Sequence, residues 1–198
     1  MDTRDFAPAI FALRGFRDEI GLRTALSTVE KVYDPATVPH HVVGMTHAPY
    51  LERLTGAMQQ QGWPRSFIVQ GLEGSADVPT GRGSRLLVVT PGSVQETRLD
   101  PQAYDLRPAR DEDLACEPLA AAHVATLEAL LRGTDTSPRR DALLLSAALR
   151  VWVRADGTTS QHANSQHGTL EGALTAAAEA LSSGTAWQRL VAWRAECA

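Results

Sequence analysis

Two carboxylates, Glu73 and Asp77, bracket the segment Glu73-Gly74-Ser75-Ala76-Asp77, which comes after the apolar run Phe67-Ile68-Val69. Carboxylates on a loop at the C-terminal end of a strand can hold Mg²⁺ against substrate phosphates. That ion takes one or two carboxylates and fills its shell with phosphate oxygens and water. The plainer reading of the same segment is a glycine-rich surface turn. His47 lies just past a second apolar run, 41–45. Open α/β sheets bind ligands beyond the carboxyl ends of their strands, so His47 is a candidate ligand contact.

Other chemistry lacks its pattern. Gly81-Arg82-Gly83-Ser84 resembles part of a phosphate loop, but the third glycine is missing and the segment precedes a strand. A phosphate cradle must come after a strand and open a helix, so that backbone N–H groups face the anion; a plain turn is expected here. No Walker A string and no GxSxG are present. His162 and His167 have no acid or cysteine near them, and the adjacent His40 and His41 point to opposite sides of a strand start. These four and His123, inside a helical run, read as ordinary surface or satisfied histidines. Asp111-Glu112-Asp113 reads as a solvated loop.

Periodicity gives the elements that must position these groups. Residues 6–20 and 24–33 read as helices, with Pro8 suited to a first turn and Pro35 stopping the second. Residues 49–61 read as an amphipathic helix with Leu51, Leu54 and Met58 on one face and Gly62 ending it. Placed between the strands 41–45 and 67–69, that helix makes a strand–helix–strand unit, which implies two parallel strands and a right-handed crossover. Residues 85–90 and 94–99 flank Pro91-Gly92 and read as a hairpin, the second strand alternating as an edge strand does. Helices are expected at about 118–132, 138–154, 169–181 and 186–196, the last two separated by Ser182-Ser183-Gly184. The fold class is α/β: a partial parallel sheet with an edge hairpin, flanked by helices. A helical segment, 1–36, precedes an α/β portion, 37–198.

Composition restricts the function classes. The chain has 198 residues, a net charge of −4 and 43% hydrophobic residues, ordinary for a globular protein with a real core. No apolar run approaches the roughly 18 residues that cross a membrane, and the charged start Met1-Asp2-Thr3-Arg4-Asp5 is unlike a signal peptide. Cys116 and Cys197 are far apart and form no CxxC, which fits a reducing cytoplasm. The acidic balance counts against nucleic acid, which usually demands a basic excess. Lys31 is the only lysine; every other basic residue apart from histidine is arginine.

Several strings in order resemble the C-terminal part of the anthranilate phosphoribosyltransferase family (glycosyl transferase family 3). Phe6-Ala7-Pro8-Ala9 is similar to its FAPA opening. Gly21-Leu22-Arg23-Thr24, with Asp34-Pro35-Ala36 ten residues on, is similar to LGxRTxFNxxGPLxNPA. Val69-Gln70-Gly71-Leu72-Glu73-Gly74 resembles VVHGxDG. Arg139-Arg140-Asp141 with 143–148 resembles RRDxxLLNAA, and 168–190 resembles the closing GxxxAxxxxxSGxAxxxL.

The resemblance implies the C-terminal portion of the nucleoside phosphorylase/phosphoribosyltransferase fold. It also implies transfer of the phosphoribosyl group of phosphoribosyl pyrophosphate to anthranilate, in tryptophan biosynthesis. It makes Arg23 the contact to the aromatic acid, and makes Mg²⁺ the cofactor of an Asp-Glu pair that falls here on Ala76-Asp77. The family's glycine-rich pyrophosphate loop would lie before residue 1. Ser27 replaces an asparagine, Glu30-Lys31 replaces a Gly-Pro, and the HPAM string is absent. These departures resemble a divergent branch. The expectation is an incomplete site, inactive alone, with a partner chain or homo-oligomer supplying the other half. The alternative is a non-catalytic protein of the same fold that binds nucleic acid or a partner.

Overall fold

The computed structural model describes residues 4, 7–21, 26–34, 36–45, 47–117, 119–155 and 168–197. The chain forms two compact units, Met1–Pro39 and His40–Ala198.

The first unit is helical. Helices α1 (Pro8–Ala12) and α2 (Arg14–Ile20) replace the single helix expected over 6–20. The break falls at Leu13, whose N–H bonds to the Ile10 carbonyl at 3.2 Å, a tight turn that interrupts the α ladder. Gly21 ends α2 in the left-handed region at φ 63°. Within 24–33 only α3 (Leu26–Val29) is α-helical. The N–H groups of Lys31 and Val32 bond three residues back, so the chain tightens there into turns. The Arg17 guanidinium ties α2 to the 27–30 segment, donating to both Glu30 oxygens at 2.6 and 3.1 Å and to Ser27 Oγ at 3.0 Å.

The second unit is a four-stranded sheet in the order β1-β2-β3-β4. Strands β1 (His40–Gly44) and β2 (Arg65–Val69) are parallel, with Val42 opposite Phe67. A 3₁₀ turn (Ala48–Tyr50) and α4 (Leu51–Gln60) connect them, so the expected strand–helix–strand unit is present. Strand β3 (Ser84–Thr90) runs antiparallel to β2 and turns at Pro91-Gly92 into β4 (Ser93–Leu99). Gly92 takes φ 76°, which only glycine adopts freely. Strand β4 is exposed along most of its length, as an edge strand is.

Helices cover both faces. Leu54 and Met58 of α4 are buried on one. On the other, α7 (Pro138–Trp152) and α8 (Leu170–Ser182) pack Leu145, Ala148, Leu149 and Ala173 against Phe67, Val69, Leu86 and Leu99. Both helices begin on a side-chain cap: Ser137 Oγ accepts from the Arg139 N–H, and Thr169 Oγ1 from the Gly172 N–H at 3.1 Å. Asp111-Glu112-Asp113, expected as a loop, instead forms the first turn of the short α5 (Asp111–Leu114), where acids suit the helix dipole and Asp113 accepts from Arg110. Helices α6 (Ala120–Leu131) and α9 (Thr185–Glu196) are linked by Arg194 and Glu128 at 2.7 Å. No helix among the described residues is long and apolar enough to cross a membrane.

Two further contacts fix the unit. Arg65 Nη1 donates to the carbonyls of Trp152 (3.0 Å) and Ala155 (2.6 Å), placing a cation at the C-terminal end of α7. Asp141, nearly buried on α7, accepts from the Arg107 backbone N–H and from its Nε at 2.6 Å, clipping the 105–110 segment onto the helix.

Candidate functional site

Parallel pairing brings the carboxyl ends of β1 and β2 to one edge of the sheet, and the loop 70–78 closes over it. Glycine at two positions allows this. A Cβ on Gly44 would lie 1.8 Å from the Ser75 carbonyl oxygen, and one on Gly71 2.1 Å from the same atom. The loop backbone therefore rests directly on the strand ends. The Leu72 N–H bonds to the Asp77 carbonyl at 2.8 Å and the Ser75 N–H to the Leu72 carbonyl at 2.7 Å, closing the loop on itself. Glu73 is left-handed at φ 47°, as is Gly74 at φ 80°. At its far end the loop is tied to α7 through the Val78 N–H, which donates to the buried Ser146 Oγ at 3.2 Å.

Glu73 and Asp77 are both exposed on this loop. The Asp77 N–H donates to Ser75 Oγ at 3.1 Å, and its carboxylate stands 3.8 Å from Arg150 Nη2. Arg150 is itself oriented by the Ser146 carbonyl at 2.7 Å. A carboxylate beside a guanidinium, at a strand terminus and open to solvent, can receive a polar ligand that carries both hydroxyl and anionic groups. Among the described residues no three His, Cys, Asp or Glu side chains converge on one point. Glu73 and Asp77 thus do not form a cage that holds a divalent cation by protein groups alone.

His47 is exposed beyond β1, its ring 6.5 Å from that of Tyr50 and tilted by 54°. It lines a cleft of about 40 Å³ with Met45, Leu51, Ile68, Gln70, Arg85 and Leu87. Alternation along β2 separates this cleft from the Asp77 side. Phe67 and Val69 face α7, so Ile68 and Gln70 face α4. The sequence-derived candidates therefore fall in two places: Glu73 and Asp77 on the loop, His47 in the cleft. Arg23 lies outside the described residues, as do His162 and His167. Arg150, Gln70 and Arg85 were not anticipated. Their signal was present in Gln70, directly after a strand, and in Arg85, at the start of one.

The remaining polar candidates take ordinary roles. His41 stacks on Trp63 with ring centroids 3.7 Å apart, and His40 Nδ1 is 3.4 Å from the Arg65 carbonyl. His123 is exposed on α6. Gly81 and Gly83 lie in a bend before β3, as a turn requires, and a Cβ on Gly81 would overlap the Ala109 carbonyl at 2.2 Å. Cys116 and Cys197 are free thiols.

Comparison with known proteins places this geometry. The chain is 30% identical over 188 residues to the anthranilate phosphoribosyltransferase of Herpetosiphon aurantiacus, covering 93% of this chain and 52% of that enzyme. It is equally 30% identical over 189 residues to that of Pelobacter propionicus, covering 93% and 51%. The chain thus spans about half the length of these relatives. The fold is that of anthranilate phosphoribosyltransferase from Saccharomyces cerevisiae in complex with 4-fluoroanthranilate, with a TM-score of 0.73 at 19% identity, over 89% of this chain and 48% of the yeast one. The yeast enzyme in complex with PRPP and Mg gives a TM-score of 0.71 at 18% identity, with the same coverage. Residues 3–187 match the glycosyl transferase family, a/b domain, and the chain belongs to that family.

Proposed function

We propose that this chain supplies the C-terminal half of a phosphoribosyl-transfer site, with phosphoribosyl pyrophosphate as donor and anthranilate as acceptor. The loop over the carboxyl ends of β1 and β2 carries the reading: it presents Asp77 and Glu73 to solvent where α/β sheets receive ligands, and its relatives are named for this reaction. In this role Asp77, oriented beside Arg150, receives the ribosyl or phosphoryl side of the donor, and Arg23 receives the carboxylate of the acceptor. Phosphoryl-rich donors need preorganised donors along the diphosphate. The Gly81–Gly83 turn enters strand β3 rather than opening a helix, so it is not such a cradle. In this reading the 198-residue chain does not turn over by itself.

The complementing half comes from other residues or another chain. The sheet ends on β1, whose Val42 and Val43 give it an apolar character suited to such pairing. Association is checked by sedimentation; a monodisperse monomer counts against it.

Activity is tested with phosphoribosyl pyrophosphate, Mg²⁺ and anthranilate, on the chain alone and on the chain fused behind the N-terminal half of the Herpetosiphon relative. The fusion is expected to form phosphoribosyl anthranilate and to lose it on Arg23→Ala or Asp77→Asn. Turnover by the chain alone overturns the half-site reading; a folded but inert fusion overturns the assignment of the reaction.

A further inference from the structure

The cleft on the α4 side of the sheet is separate from the Asp77 loop, and its chemistry points to a ligand. Its floor is apolar, from Met45, Ile68 and Leu87, and its polar groups are the His47 imidazole, the Gln70 amide and the Arg85 guanidinium. The amino end of α4 enters at Leu51, adding the positive pole of the helix. All of these except the imidazole's bare nitrogen and the amide oxygen are donors.

Strand register adds a second guanidinium. Arg85 stands directly opposite Arg98 on β4, so the two side chains leave the sheet on the same face. Like charges at directly opposed positions disfavour a sheet unless something neutralises them. One carboxylate is present. Glu96 accepts from Arg85 Nε at 2.7 Å and from Nη2 at 2.6 Å, and this bonding holds the Glu96 carboxyl below the usual carboxylate range. Arg98 has no acidic partner among the described residues. It is nevertheless held in place: a Cβ on Gly83 would come 2.8 Å from Arg98 Nε and 2.9 Å from Nη2, so the guanidinium lies against bare loop backbone. Two opposed cations, of which Arg85 alone is paired with a carboxylate, thus stand on the sheet face that carries the donor-lined cleft.

Size selects the ligand. A water needs about 10–15 Å³ of such space, so about 40 Å³ admits roughly three waters, or one small oxyanion in their place. A planar guanidinium fork recognises phosphate better than a point charge does. We infer that Arg85, Arg98, Gln70 and His47 form a binding site for a phosphate group, on the sheet face opposite the Asp77 loop.

The test is a ¹H–¹⁵N titration of the full chain with inorganic phosphate, and separately with ribose 5-phosphate, at ionic strength held constant with chloride. Saturating shifts are expected at the Gln70 side-chain amide and at residues 45, 47, 51 and 85, with no response at 73–77. If phosphate alone saturates the site, it takes the free ion; if ribose 5-phosphate binds more tightly, it takes the phosphate of a larger ligand. Arg98→Gln, on an exposed edge strand, should weaken binding about fivefold, as loss of one exposed ionic contact does. Arg98→Lys should fall between, keeping charge without the fork. Shifts that never saturate, that chloride reproduces, or that Arg98→Gln and Arg98→Lys leave unchanged overturn the site.

Discussion

Replacing Gly44 by alanine tests whether the candidate loop is held by direct contact with the strand ends. Gly44 has no left-handed φ, so alanine suits its backbone and the whole cost is spatial. The new methyl carbon would lie 1.8 Å from the Ser75 oxygen and 2.0 Å from its carbonyl carbon. Ordinary contact begins near 3.4 Å, so backbone on one side must move by more than 1 Å. Overpacking of a closely packed site costs about 1–3 kcal/mol. For a chain of this size 1 kcal/mol lowers Tm by about 2–4 °C, which gives a fall of about 2–12 °C. Gly56→Ala is the matched control: it adds the same methyl in the middle of α4, with nothing within 4 Å. It should stabilise by about 0.5–1 kcal/mol. Thermal unfolding reads both variants, and amide shifts at 71–78 report whether the loop moves. Because a displacement of about 1 Å costs on the order of 100-fold in catalysis, Gly44→Ala should also silence an active fusion. A Gly44→Ala protein as stable as the parent, with unshifted loop amides, would refute the contact.

Other consequences are equally direct. Arg65→Met should cost about 2–3 kcal/mol in urea unfolding, because it leaves the Trp152 and Ala155 carbonyls without their charged donor. In double-mutant cycles, the Arg107–Asp141 pair should couple more strongly than Arg85–Glu96, because the acid side chain is 9% exposed in the first pair and 51% in the second. Asp135, which accepts hydrogen bonds from Ser137, is held below the ordinary carboxylate range. Its contribution is therefore present above the unfolded-state pKa and is lost as pH falls through the lower folded value. Asp135→Asn should flatten the acid limb of the stability–pH curve and leave its neutral part nearly flat. Mg²⁺ without diphosphate should give no saturating shifts at 73–77, since no three ligating side chains converge there among the described residues.

Much of the architecture was legible in the sequence. The apolar runs at 41–45 and 67–69, with an amphipathic helix between, dictate a parallel pair. The Pro91-Gly92 turn marks the hairpin, while its register, Thr90 opposite Ser93 and Arg85 opposite Arg98, comes from the structure. Element boundaries were missed where short-range hydrogen bonds reset the backbone. The apolar stripe over 6–20 suggested one helix, yet the tight turn at Leu13 divides it. The acids at 111–113 are exposed as expected, but they open a helical turn where the sequence reads as a loop.

The sequence by itself put two carboxylates and a histidine just past the ends of the strands. Those are properties of position along the chain, and strand alternation and turn length are enough to locate them. Only the tertiary structure decided that Asp77 stands beside Arg150 while His47 and Gln70 join Arg85 on the other face. That division depends on which face α7 and α4 each cover. It depends equally on two glycines that let a carbonyl rest on the strand ends, and contacts between segments so far apart leave no periodicity to read.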